Sequence, residues 1–175
     1  YAGLAAGGRR VEPIAIQYVT DASGRRLREW QGGPTAQIVS LQTAYLITDI
    51  LSDNQARIAG FGESSWLRLS RPAAAKTGTT TDWRDNWTLG YTPDFVAGVW
   101  VGNSDNTPMY GVSGVSGAGP IWHDFMEQIL KDTPVHDFER PEGLVEVEVC
   151  SVSGLLPGPD CPHTRTELFV AGREP

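Results

Sequence analysis

The period of apolar positions changes several times along this chain, and the changes mark its elements. Tyr1 to Gly8 has small residues and ends on two glycines, the pattern of a last helical turn closed by a glycine C-cap. A chain that opens on the end of an element reads as a piece of a longer protein. From Val11 the period falls to two. Pro13 to Thr20 alternates through Ile14, Ile16 and Tyr18, Asp21-Ala22-Ser23-Gly24 supplies turn chemistry, and Arg25 to Trp30 returns as a second strand. Gln31-Gly32-Gly33-Pro34 is a loop. Ser40 is placed to cap a helix running from Leu41 to about Asp53, with Leu41, Ala44, Tyr45, Thr48 and Leu51 near helical spacing. Leu46, Ile47 and Ile50 widen the apolar stripe, so this helix is expected to be largely buried. Asn54 to Arg71 is mixed and glycine-containing, which predicts a surface connection.

Beyond it the small residues Pro72 to Ala75 lead into Lys76-Thr77-Gly78-Thr79-Thr80, and strands follow. Trp87 to Tyr91 and Phe95 to Val101 form a hairpin around Thr92-Pro93-Asp94. Both faces of this hairpin carry apolar residues, which predicts a sheet covered by helices. Gly102 to Gly119 is a long Gly/Ser/Asn loop, and Pro120 opens a helix to Lys131 with Ile121, Trp122, Phe125 and Ile129 inward. The order helix, strand, hairpin, helix predicts an α+β fold, an antiparallel sheet with helices packed on it. After Pro134 the composition shifts. Residues 1–134 are therefore expected to form the main unit, and 135–175 a linker with a small Cys-containing extension in which Leu144 to Val149 alternates as a strand.

Composition narrows the function. A hydrophobic content of 40% with 20% charged residues fits an ordinary globular chain. The net charge of −7 excludes the basic surface that a nucleic-acid partner requires. No apolar run approaches the ~18 residues of a membrane span. The arginines of the first hairpin, Arg25, Arg26 and Arg28 beside Arg9 and Arg10, read as solvated strand edges or as a patch for an anionic polymer.

The candidate chemistry lies at Lys76. It is one of two lysines in the chain, the other being Lys131. An ammonium beside a strand attracts a substrate carboxylate, and Thr77 and Thr79 present hydroxyls from one strand face because side chains alternate with period two. Gly78 leaves the opposite face clear and permits close backbone approach. An extended peptide laid along such a strand would pair with its main chain. A plain edge strand whose threonines follow β-propensity is the structural alternative.

The neighbourhood extends the pattern. Ala73-Ala74-Ala75-Lys76-Thr77-Gly78-Thr79-Thr80, then Asp82-Trp83-Arg84-Asp85-Asn86-Trp87-Thr88-Leu89-Gly90-Tyr91-Thr92-Pro93, resembles the transpeptidase domain of class A penicillin-binding proteins. Gly98-Val99-Trp100-Val101-Gly102-Asn103 and, upstream, Ala44 to Leu51 continue the resemblance, which runs from about Tyr1 to Lys131. Cys150-Ser151-Val152-Ser153-Gly154-Leu155-Leu156-Pro157 with Cys161-Pro162 is similar to the region that follows this domain in some members.

The resemblance implies the penicillin-binding/serine β-lactamase-like fold, here its third to fifth strands with the packed C-terminal helix. It implies a peptidoglycan D,D-transpeptidase that cross-links stem peptides through an acyl-serine intermediate, with no cofactor and no metal. Lys76 and Thr79 would be catalytic, the Thr79 N–H donating to the oxyanion. Thr77, Gly78 and Thr79 would bind the D-Ala-D-Ala stem peptide or a β-lactam antibiotic. A β-lactamase or D,D-carboxypeptidase, and a non-catalytic sensor or wall-binding module, share these features and stay open. The family's Ser-x-x-Lys pair is missing, since Ala73 and Gln128 stand three residues before the two lysines. Ser52-Asp53-Asn54 and Ser104-Asp105-Asn106 match Ser-x-Asn literally but stand in the wrong places, and read as helix-end and loop chemistry. The serine is therefore expected on an upstream N-terminal part of the same protein, and the location to be extracytoplasmic and membrane-anchored. In that compartment a Cys150–Cys161 disulfide is expected. Free buried thiols are the alternative, and a zinc site with His163 would lack a ligand. His123-Asp124 reads as a packed or solvated pair rather than a catalytic one.

Overall fold

This computed structural model describes every residue except Pro34, so that part of the expected Gln31–Pro34 loop lies outside the described residues. The element order is α1 (Ala2–Ala5), β1 (Tyr18–Thr20), β2 (Arg26–Glu29), α2 (Leu41–Ser52), α3 (Asn54–Phe61), β3 (Ala74–Thr79), β4 (Asp85–Tyr91), β5 (Val96–Gly102), α4 (Ala118–Leu130), β6 (Leu144–Cys150) and β7 (Thr164–Val170).

The centre is an antiparallel sheet in the order β3-β4-β5. Cross-strand partners share a face, so the register Ala75↔Gly90↔Ala97 and Thr77↔Thr88↔Val99 defines one side, and Ala74↔Tyr91 with Lys76↔Leu89↔Gly98 defines the other. Helix α4 covers the first side. Trp122, Met126 and Leu130 pack there on Leu67, Leu69, Ala73 and Ala75, and the Trp122 indole N–H donates to the Ala97 carbonyl at 3.3 Å. Helix α2 covers part of the second side, where the buried Thr48 hydroxyl shares a 2.7 Å hydrogen bond with the buried Tyr91 hydroxyl. The result is helix, sheet, helix: the α+β arrangement the periodicity predicts.

Local chemistry sets the helix ends. Ser40 caps α2 by accepting the Thr43 N–H at 3.1 Å. Asp53 closes α2 and caps α3 by accepting the Ala56 N–H at 2.9 Å. Helix α3 stands where the mixed composition predicts only a connection. It is short and buries none of its residues fully, so it leaves no apolar stripe for a periodicity argument to find.

Two burial expectations fail. In α2 only Ala44 and Thr48 are fully buried, while Leu41 and Ile50 are 50% and 66% exposed. Its stripe is wider than the sheet surface it meets. In α4 the inward face is Ala118, Gly119, Trp122, Met126 and Leu130, whereas Ile121 and Phe125 are exposed. A row of fourfold steps centred on Trp122 faces the sheet, and Ile121 and Phe125 lie beside it.

The first hairpin forms with its Asp21–Gly24 turn, where Asp21 accepts the Ser23 and Arg25 N–H groups. Arg25 pairs with Asp21, Arg26 pairs with Glu29 and lies over the Tyr18 ring, and Arg10 pairs with Glu12. With these carboxylates beside them, Arg10, Arg25 and Arg26 are ion-paired on solvated surface rather than part of a uniformly cationic patch. β6 and β7 form their own two-stranded sheet, and Cys150 is bonded to Cys161 across its loop, with Cα atoms 5.8 Å apart. This hairpin meets α2 through Gln42, whose side chain donates to the Glu142 carbonyl at 2.8 Å. Among the described residues no helix is long and apolar enough to cross a membrane.

Candidate active site

Among the described residues β3 pairs with β4 alone, so its other edge is open. Thr80 donates its N–H to the Asp85 carbonyl at 3.0 Å, and the Asp85 N–H returns to the Thr80 hydroxyl at 2.9 Å. Backbone groups alternate along a strand. With Thr80 facing β4, Gly78 and Lys76 face it too, and the N–H groups of Thr77 and Thr79 point to the open edge.

The side chains divide between the two faces. Lys76 lies on the α2 side with Gly78, and its ammonium, exposed, donates to the Thr77 carbonyl at 2.6 Å. Gly78 is opposite Trp87, and an added Cβ there would meet only the Trp87 Cβ at 3.7 Å, so this face stays open above the strand. Trp87 is in turn opposite Trp100, and both remain about four-tenths exposed. Trp100 is steadied by an N–H bond to Asp85 at 2.9 Å.

Thr77 and Thr79 share the α4 side, one above the other. Their surroundings come from the β5–α4 loop, which sequence reasoning left without a role. The Gly114 N–H donates to the Thr79 hydroxyl oxygen at 2.9 Å, the Thr88 hydroxyl donates to the Gly114 carbonyl at 3.0 Å, and the Asn86 amide donates to the Val112 carbonyl at 2.9 Å. Glycine in a turn-rich loop was the only signal available, and it names no partner.

The other sequence candidates fall elsewhere. Ser52-Asp53-Asn54 is the α2–α3 junction, with Ser52 donating to the Asp49 carbonyl. Ser104-Asp105-Asn106 is a loop turn in which Asp105 accepts from Thr107 and Asn106 is left-handed at φ 61°. His123 stacks edge-on against Trp66 at 5.4 Å beside its Asp124 partner, a packed histidine. Cys161 is bonded to Cys150, and among the described residues no cluster of His, Cys, Asp and Glu could hold a metal. A cavity of about 340 Å³ lies at Tyr91, walled by Leu41, Tyr45, Thr48 and Phe138, at the end of β4 remote from Thr79.

Residues 140–175 match the family described as penicillin-binding protein 1A, C-terminal domain. Penicillin-binding protein 2D of Bacillus subtilis is 35% identical over the whole chain, and penicillin-binding protein 1A of Pseudomonas aeruginosa is 36% identical over 78% of it. The crystal structure of penicillin-binding protein 1A from Haemophilus influenzae superimposes on 99% of the chain with a TM-score of 0.79 at 25% identity. The chain is similar over its whole length to the C-terminal transpeptidase region of class A penicillin-binding proteins. It spans 26% of the Bacillus relative, 16% of the Pseudomonas relative and 31% of the Haemophilus structure.

Proposed function

We propose that this chain supplies the substrate-binding strand of an extracytoplasmic, membrane-anchored peptidoglycan D,D-transpeptidase whose nucleophilic serine lies on a segment upstream. The observation that carries the reading is the open β3 edge, with the Thr77 and Thr79 N–H groups directed outward between the Lys76 ammonium on one face and two hydroxyls on the other.

A stem peptide ending in D-Ala-D-Ala would lie along this edge as an added strand. Its terminal carboxylate would meet the Thr77 and Thr79 hydroxyls and the positive charge of Lys76. The serine oxygen attacks the carbonyl of the penultimate D-Ala. As the C–O bond forms, the carbonyl oxygen takes negative charge, which the Thr79 N–H stabilises. One such donor is worth about 3 kcal/mol in the transition state. The C–N bond then breaks, the serine proton passes to the leaving amine, and the last D-Ala departs. An acceptor amine attacks the resulting ester, forming the cross-link and returning a proton to the serine. A β-lactam would enter by the same edge and leave its acyl group on the serine.

The test is labelling by a fluorescent penicillin. The full-length protein should label covalently, and the 175-residue chain alone should not. Label on the isolated chain would overturn the placement of the serine. In the full-length protein, Lys76→Ala should slow acylation on the order of a hundredfold, and unchanged acylation would remove Lys76 from the site. Rapid loss of the label would favour a β-lactamase over a transpeptidase.

A further inference from the structure

We propose that Gly114 and Thr88 are positioning residues that fix the Thr79 hydroxyl as a hydrogen-bond donor toward the substrate carboxylate. The inference rests on the reading of β3 as a carboxylate-binding strand.

A threonine hydroxyl has one proton and two lone pairs, and it rotates to suit its surroundings. By itself the Thr79 hydroxyl has no fixed polarity. The Gly114 N–H, 2.9 Å away, occupies a lone pair. Among the described residues no protein group accepts the Thr79 proton, so that proton is left for an incoming acceptor. Asn86, opposite Thr79 in the register, gives one Nδ2 proton to the Val112 carbonyl, and among the described residues its buried Oδ1 has no hydrogen-bond partner, so neither is bonded to the Thr79 hydroxyl.

Gly114 itself is held from several directions. Its carbonyl accepts from the Thr88 hydroxyl at 3.0 Å and from the Gly119 N–H at 2.9 Å. Its residue type is dictated by space. A Cβ there would lie 2.8 Å from both the Gly78 and Trp87 carbonyl oxygens and 3.1 Å from the Thr77 Cβ. Those carbonyls belong to the β3–β4 ladder and cannot retreat without moving the strand. The loop therefore rests its backbone on β3 and β4, close enough for one amide to reach Thr79. Thr88 is fully buried and reaches no substrate, so it acts through Gly114. Its hydroxyl sets the height and tilt of the Gly114 peptide.

The full-length protein tests this with two acylating probes, a penicillin with its free carboxylate and the methyl ester of the same penicillin. The variants are Gly114→Ala, Thr88→Val and Thr88→Ser. Thr88→Val should slow acylation by the free acid about tenfold, the loss of one hydrogen bond to a charged group, and leave the slower reaction of the ester within about twofold. Gly114→Ala should act in the same direction, and Thr88→Ser, which keeps the hydroxyl, should restore the preference for the acid. Equal slowing of acid and ester in Thr88→Val would mean a general loss of structure and would overturn the proposal. So would free-acid rates unchanged in Thr88→Val while the unaltered protein labels normally. Failure of the unaltered protein to label with either probe would instead overturn the function on which the proposal rests.

Discussion

Gly90 is a residue whose identity packing dictates. It pairs with Ala75 and Ala97 beneath α4, and a Cβ there would stand 2.3 Å from the Trp122 ring and 2.8 Å from the Ala74 carbonyl. Trp122 is fully buried, so it cannot swing aside without opening the core. Gly90→Ala should therefore cost about 2–3 kcal/mol, an overpacking penalty, read as a lower urea midpoint of unfolding. The same contrast governs the site. The proposal that Lys76 and the two threonines carry its chemistry rests on their residue types and on the family resemblance of the residues around them. That the Thr79 hydroxyl already accepts a hydrogen bond from Gly114 follows from neither, because the two residues are 35 positions apart and nothing in either identity points to the other.

Elements bounded by local chemistry were the legible ones. Ser40 caps α2 through the Thr43 N–H three residues on, and the Asp21 turn closes its hairpin within four residues. Ser40→Ala should destabilise by about 1 kcal/mol, with the loss of helical circular dichroism on heating beginning at lower temperature. Ser40→Gly should cost much less, because glycine is itself an acceptable cap residue. Elements whose signal depends on what they pack against were read less well. Helix α3 shows no stripe of its own, and β7 passed unread because it does not alternate: Thr164, Arg165 and Thr166 are exposed and the four residues after them are all half-buried. The face of α4 was displaced by one position because Ile121 and Phe125 are as apolar as the residues that turn inward. Period identifies a helix, but only the neighbouring sheet selects among its apolar rows.

At the scale of the whole molecule, the body and the C-terminal hairpin meet across α2 and carry like charges there. Partial burial first, then the charges of Asp53 and Glu167, raise the Asp49 carboxyl above its ordinary pKa, with Arg140 opposing them. A raised pKa in the fold means that folding favours the protonated form. The resulting stabilisation is fully present below the unfolded carboxyl value near ~4 and is lost as pH rises through the higher folded value. Asp49→Asn should accordingly add stability at pH 7 and none at pH 3, measured by urea unfolding at both. The gain should be about half a kcal/mol, because the side chain remains largely in water.

By itself the amino-acid order determined most of the strands and helices, α3 and β7 excepted, the α+β class, and the run from Ala73 to Pro93 that carries the family resemblance. These are local properties: period, caps, turns and a contiguous motif. Tertiary structure decided which edge of the sheet stays open and which apolar row of each helix is used. It alone also brought the Gly114 N–H to the Thr79 hydroxyl and the Thr88 hydroxyl to the Gly114 carbonyl. Each of these depends on distances between residues far apart in sequence, which no local pattern encodes. The strand at Lys76 carries the motif, and the rest of the fold sets the direction in which that motif faces.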